Sequence, residues 1–540
     1  MSRRWDLKWV ALTLLVGTLL VVLVLWPIGE LIAVAIEQYG LEGADAERAR
    51  QSAVNTLAVG LLVAVVAGSL GALGALVTER TAVPGKAWLR VGILLPILIP
   101  PFVSALSWTR AYGPGGLTDD LLGVSADGLF GLFGVVAVVA VNAVPLSYLL
   151  TVAALNSRVE SDVERAARIS GASPASTLGT ITVPLLAPAL AGIGALGFVL
   201  GINAFGVPAV LGSPVGFRTV TTLIYEDLAL SARPEAFRRA ILLATGLVVA
   251  AVTFVIVAEV LLRSVGTAPR SAAGSGPQLA KVRPRWGVAA LAWAFVATTS
   301  ILPLVALGLV ALTRGVGLPP VPENLTFANF AEALDGRLLG ALLRSVGLAL
   351  LAATVGILLG AGVAALRKRR FGGVFGVVVL MTFAVPGSTL AVAMILAHGR
   401  LLRDTLLIIL AAYVAKLWAV GHRAIAGSAE NVAPHLYLAA RSSGASSFSA
   451  VRTILVPMLR PALAGGWVLI FLIAFHEVTM SSLLYGPGTE TLAVAVLNLQ
   501  QLGDVPVSSA LAVILTVPLL LVAIPLLTSS RIPRRFLGTG

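Results

Sequence analysis

Hydrophobic positions in this chain come in long blocks, separated by short stretches that gather the polar and charged residues. The blocks fall at about 10–36, 53–77, 89–108, 129–151, 183–205 and 240–262, then at about 287–312, 341–366, 372–397, 401–422, 457–476 and 507–529. About 20 apolar residues carry an α-helix across the hydrocarbon core of a bilayer. The pattern therefore predicts an all-α polytopic membrane protein with 12 transmembrane helices, six in each half. Lys416 interrupts one block, and Pro184 and Pro457 stand at the start of two others. Membrane helices admit proline where neighbours re-satisfy the freed carbonyl groups. The first block is too long for the apolar core of a signal peptide and lacks a small-residue cleavage site, so it reads as a retained span.

Lysine and arginine set the orientation. With the N-terminus inside, the inner segments hold Arg3, Arg4 and Lys8, then Arg80, Lys86 and Arg90, then Arg158, Arg165 and Arg168. They continue with Arg263, Arg270, Lys281, Arg283 and Arg285, the Arg367-Lys368-Arg369-Arg370 run, Arg423, Arg441, Arg452 and Arg460, and finally Arg531, Arg534 and Arg535. These make 25 of the 38 basic residues, an inner excess that predicts cytoplasmic termini at both ends. Residues 264–285 are rich in Ser, Ala, Gly and Pro without an apolar period, as expected of a cytoplasmic linker. An even number of spans before the linker leaves residues 1–263 and 286–540 as two parallel modules, unlike the inverted repeats of many secondary carriers.

Composition sharpens this picture. Of 540 residues, 58% are hydrophobic and 12% charged, with a mean hydropathy of +0.97; a soluble domain carries roughly 25% charged residues. The net charge of +13 is distributed between the apolar blocks instead of forming one patch, which argues for the lipid bilayer and against nucleic acid as a partner. The absence of cysteine removes disulfides, thiolate metal sites and cysteine nucleophiles. The histidines, at 398, 422, 435 and 476, lack the spacing of a stable metal site. No G-x-x-x-x-G-K-[ST] phosphate loop occurs, so this chain does not itself hydrolyse ATP.

One segment occurs twice. Ala166-Ala167-Arg168-Ile169-Ser170-Gly171-Ala172-Ser173 leads to Val183-Pro184-Leu185-Leu186-Ala187-Pro188-Ala189-Leu190; Ala439-Ala440-Arg441-Ser442-Ser443-Gly444-Ala445-Ser446 leads to Val456-Pro457-Met458-Leu459-Arg460-Pro461-Ala462-Leu463. The offset is 273 over 25 positions without a gap. Residues 160–170 and 433–443 have helix-forming composition, with Gly171 and Gly444 placed to end each helix in a left-handed residue. Ser173-Pro174 provides a cap and first position for a second helix. The alternative reading is an inner surface helix without a partner.

The repeated segment resembles the EAA loop of membrane subunits of ABC importers, and nearly the whole chain resembles the fused iron(III) permeases, with the thiamine permease a close relative. The resemblance implies two ABC importer permease modules whose loops form coupling helices seated on two copies of a separate cytoplasmic ABC ATPase. ATP and Mg would be bound there, and an external substrate-binding protein would deliver the substrate. The coupling role then falls on Glu164, Arg165, Ala166, Ala167 and Gly171, and on Leu438, Ala439, Ala440 and Gly444. Arg165 and Leu438 occupy the place of the family's glutamate; Glu164 lies one residue earlier, and the second copy has no acid before Glu430. The resemblance places the protein in a bacterial cytoplasmic membrane.

The outer segments, about 37–52, 109–126, 206–239, 313–340, 398–400 and 477–506, are too short to form a receptor domain. Polar residues in or beside spans are costly and mark candidate functional positions. Asn55, Asn142, Asn203, Glu259, His476 and Glu477 are candidates for a translocation pathway, with Glu30 and Lys416 further intramembrane polar groups; helix pairing is the competing explanation for each. Iron(III) is the first expectation for the cargo, and thiamine, polyamine or phosphonate remain open. An ion-driven secondary carrier would account for the length and spans but not for the repeated inner segment.

Overall fold

The computed structural model describes residues 7–38, 40–158, 161–264, 286–366, 372–429, 432 and 434–528. All but the first residue of the expected linker at 264–285, the Arg367–Arg370 run, Glu430, Arg3, Arg4, Arg531, Arg534 and Arg535 lie outside them. The chain is all-α apart from isolated pairing such as the antiparallel bridge between Thr313 and Leu325.

Among the described residues, nine helices are long and apolar enough to span a membrane. These are α1 (Trp9–Glu37), α2 (Gly43–Arg80), α5 (Leu132–Ser157), α7 (Pro174–Ile202), α9 (Pro234–Leu261), α10 (Trp286–Ala311), α11 (Gly336–Leu366), α14 (Leu406–Ala429) and α16 (Val451–Phe475). Two further candidates are broken: α3 (Lys86–Leu98) meets the segment beginning with α4 (Pro101–Tyr112) at 111°, and α12 (Gly372–Ala384) meets α13 (Gly387–Leu402) at 109°. The blocks expected as spans at 89–108 and 372–397 are thus each interrupted by a sharp bend. The cause is local: Ile99-Pro100-Pro101 and Val385-Pro386 withdraw backbone donors, and the residue before a proline is pushed out of helical geometry. Ile99 accordingly sits at φ −100°, ψ 124°. Short helices α6 (Ser161–Ile169), α8 (Val220–Ala229), α15 (Pro434–Ser442) and α17 (Leu492–Leu502) connect the rest, and α18 (Val505–Thr528) closes the described chain.

The prolines expected to start spans lie inside longer helices. A single π-turn precedes Pro27, Pro184, Pro303 and Pro457 in turn, at Val21–Leu25, Leu178–Thr182, Ala297–Ile301 and Val451–Leu455. The wider turn makes room for the proline ring and lets α7 and α16 begin well before residues 183 and 457.

The contacts divide the chain into two units that do not follow its two halves. One comprises Glu42–Leu223, Thr253–Leu334 and Asn498–Gly540; the other comprises Met1–Leu41, Ile224–Val252 and Asp335–Leu497. Each unit thus includes the first helix of the opposite half. In the former unit, α2, α5 and α7 pack together and α10 lies against α4 and α18. In the latter, α11, α14 and α16 form the corresponding cluster and the end of α1 packs on α13.

Close approach depends on small residues at matching places. A Cβ on Gly71 would collide with Ser147 and the backbone of Tyr148, and one on Gly360 with the backbone of Gly421 and His422. Without a hydrophobic force between helices in lipid, such close backbone packing supplies much of the association. Gly360→Val is expected to destabilise the protein by about 1–3 kcal/mol through overpacking, while Gly376→Ala, where the added carbon meets nothing within 4 Å, costs little. Thermal unfolding in detergent checks this; equal transitions for the two variants would refute it.

Candidate functional site

The repeated segment folds twice in the same way. In the first copy Ser170 N–H donates to Ala166 O at 2.9 Å, Gly171 to Arg168 O at 3.1 Å and Ala172 to Ala167 O at 3.0 Å. In the second, Ser443 donates to Ala439 O at 2.9 Å, Gly444 to Arg441 O at 3.1 Å and Ala445 to Ala440 O at 3.0 Å. Gly171 at φ +91° and Gly444 at φ +86° allow these closures, since left-handed backbone costs glycine least. Ser173 and Ser446 then accept the N–H of Ser176 and Ser449, each at 3.1 Å, capping the next helix.

The surfaces of α6 and α15 differ. Ala166, Ala439, Gly171 and Gly444 are exposed, and Ala167, Ala440 and Arg165 are half-buried. Leu438 is 60% exposed, so the second copy presents an apolar side chain where the first has Arg165. Glu164 is not on the open face: it is 2% exposed, accepts Thr182 Oγ1 at 2.6 Å and pairs with Arg80 Nε at 3.3 Å. Its carboxylate thus faces Thr182 and Arg80 instead of the surface that Ala166 and Gly171 expose. It braces α6 against the end of α2 and the start of α7. At offset 273 its counterparts are Tyr437 and, for Thr182, Leu455, which cannot repeat the pair.

The polar span residues separate into distinct roles. Asn55 Nδ2 donates to Arg218 O at 2.8 Å and Thr56 Oγ1 accepts the N–H of Val220 at 2.8 Å. The second half repeats this with other side chains: Arg344 Nε donates to Glu490 O at 2.8 Å and Ser345 Oγ accepts the N–H of Leu492 at 2.8 Å. Two adjacent side chains thus hold the start of a short buried helix in each half. Within the expected outer segments 206–239 and 477–506, Thr221, Thr222, Ile224, Ser481, Leu492 and Val494 are buried against the rest of the protein.

Glu477 is a cap. Its carboxylate accepts the N–H groups of Thr479 at 3.1 Å, Met480 at 2.8 Å and Ser481 at 3.2 Å, where α16 stops and Ser481–Leu484 begins. The fully buried Tyr413 adds a 2.7 Å bond to Ser481 Oγ, a role that no motif signalled. Lys416 caps the opposite polarity: Nζ donates to Val385 O and, at 3.3 Å, to Thr382 O, the carbonyls freed by the α12–α13 break. Asn142 takes a bond from Ser104 Oγ at 3.0 Å and donates to Val138 O at 2.8 Å. Glu259 is half-buried on α9, beside the exposed Ile256 and Val260. Glu30 is half-buried on α1.

Asn203 and His476 differ from the others. They occupy matching positions at offset 273, each the residue on which a membrane helix, α7 or α16, ends. Buried Asn203 Oδ1 and His476 Nε2 have no hydrogen-bond partner among the described residues. Among those residues, no group of three His, Asp or Glu side chains is placed to hold a metal ion.

The family model for the binding-protein-dependent transport system inner membrane component matches residues 71–267 and 356–532, one copy in each half. The chain belongs to this family. It is a duplicated permease subunit of an ABC importer. The Fe(3+)-transport system permease protein FbpB 2 of Haemophilus influenzae is 25% identical over 454 residues, covering 82% of either chain. A probable ABC transporter permease protein, y4fN of Sinorhizobium fredii, is 24% identical over 91% of this chain and 89% of its own. The spermidine/putrescine transport system permease protein PotC of Escherichia coli is 40% identical over 79 residues, 15% of this chain and 30% of its own.

Breaking the Glu164 brace tests its structural role in the permease. Glu164→Gln is expected to raise amide hydrogen exchange across residues 161–182 by roughly tenfold, the equivalent of about 1.4 kcal/mol, whereas Tyr437→Phe leaves 434–455 unchanged. Equal protection in both segments would show that the pair does not hold α6.

Proposed function

We propose that this permease imports iron(III) through the bacterial cytoplasmic membrane, with 12 spans in two six-span modules and both termini cytoplasmic. Nine helices, two broken pairs and α18 at the twelfth expected block support that count. An external substrate-binding protein hands the cargo over, and two copies of a separate ABC ATPase engage α6 and α15. Those partners bind ATP and Mg, and this chain converts their closure into alternating access. The observation that carries this reading is the repeated inner segment, folded alike in a chain of this family. Ala166, Ala167, Gly171, Ala439, Ala440 and Gly444 form the small-residue docking faces, with Arg165 and Leu438 giving them different edges.

Asn203 Oδ1 and His476 Nε2 are the pathway groups best suited to contact cargo, because each is buried without a hydrogen-bond partner among the described residues. A transporter must also release its cargo, and single O or N donors suit transient contact. Asn55, Asn142 and Glu477 support the pathway through their backbone and side-chain bonds. The relatives named for Fe(3+) transport over most of the chain favour iron. The short, more similar match to a spermidine/putrescine permease favours a polyamine as the second reading.

The test reconstitutes the permease with its ATPase and binding protein in proteoliposomes. Gly171→Asp and Gly444→Asp are each expected to lower binding-protein-stimulated ATP hydrolysis by roughly tenfold, as an aspartate at left-handed backbone both strains and charges the face. Titration of the binding protein with iron(III), thiamine and spermidine identifies the cargo. Uptake under an ion gradient without the ATPase would overturn the reading.

A further inference from the structure

Arg110 ends α4 with a side chain the permease reading leaves unused. The residue is 9% exposed. Its Nη2 donates to Gln500 Oε1 at 3.2 Å, while the buried Nε has no partner among the described residues. No carboxylate among the described residues lies within ion-pair distance, although a buried guanidinium without a counter-charge is strongly disfavoured. The side chain lines an open cleft with Gly115, Asp120, Leu309, Thr313 and Gly317.

The position of the cleft narrows its occupant. Leu309 and Val310 belong to the last turn of α10, so the cleft lies where a candidate span leaves the hydrocarbon. Its surroundings expose large apolar side chains beside the polar ones: Leu121, Leu122 and Val124 follow Asp120, and Val316 and Leu318 flank Gly317. An anion that brings its own hydrocarbon satisfies both features.

We propose that the cleft is a phospholipid site, with the headgroup phosphate on Arg110 and the acyl chains over the neighbouring leucine and valine side chains. Guanidinium and phosphate match in charge and in paired hydrogen-bond geometry. Asp120 opposes the anion, which keeps the site exchangeable. The inference rests on the chain spanning a membrane but not on its cargo or its ATPase.

Native mass spectrometry of the delipidated full-length permease in detergent, titrated with phosphatidylglycerol, tests it. Wild type is expected to retain one lipid that Arg110→Gln binds roughly tenfold more weakly, a loss of about 1.4 kcal/mol. Arg110→Lys recovers part of the affinity and Asp120→Asn raises it above wild type, a gain that a purely structural arginine would not produce. Diacylglycerol, which lacks the phosphate, is expected not to occupy the site. Displacement of phosphatidylglycerol by millimolar inorganic phosphate would assign the cleft to a free anion and overturn the lipid source. Equal retention by wild type and Arg110→Gln, or an Asp120→Asn variant no tighter than wild type, would overturn the site. If Arg110→Gln proves polydisperse, the Asp120→Asn titration and the diacylglycerol arm still decide. Transport assays are not involved, so failure here stays distinct from failure of the importer reading.

Discussion

Hydrocarbon offers no hydrogen bonds, so each peptide group that leaves helical geometry within the membrane must find a partner in the protein. Much of this permease can be understood from that constraint. Its two broken spans release carbonyl groups at one end of a half-helix, and the Lys416 ammonium takes up those of Thr382 and Val385. Where α16 stops, the released N–H groups of residues 479–481 converge on the Glu477 carboxylate. A cation on carbonyl ends and an anion on amide ends follow the polarity of the helix termini. Intramembrane charge here thus does structural service, and that shifts attention to the matching helix ends at Asn203 and His476, where Oδ1 and Nε2 are among the buried atoms without a partner in the described residues.

The duplication is conserved in geometry more than in residue type. Both halves hold a short buried helix by paired bonds from a long neighbouring span, yet Asn55 and Thr56 in one become Arg344 and Ser345 in the other. Both repeated segments turn through a left-handed glycine with matching bonds. The difference lies beneath them. α6 is tied to α2 and α7 through Glu164, Arg80 and Thr182, whereas Tyr437 and Leu455 give α15 no such tie. Two segments with the same backbone turn therefore rest on unequal supports.

The packing units cut across the sequence halves. Because α1 and α10 each contribute to the unit dominated by the other half, neither half buries its helices by its own chain alone. A module boundary drawn at the linker describes the gene duplication, while the contact boundary describes what is held together.

The sequence by itself determined the long apolar helices of a membrane protein and the repeat at offset 273, because each is a property of local composition or spacing. It also determined the αL glycines and serine caps, since turn geometry is decided within a few residues. Proline marked the sites of irregular backbone but not their form: tertiary packing decided that Pro184 and Pro457 would follow π-turns in continuous helices while Pro100 and Pro386 would break theirs. Tertiary structure alone turned Glu164 inward, gave Lys416 and Glu477 their backbone partners and buried α8 and the start of α17. Those outcomes depend on which groups from distant parts of the chain meet in a medium without water, and neither spacing nor composition records that meeting.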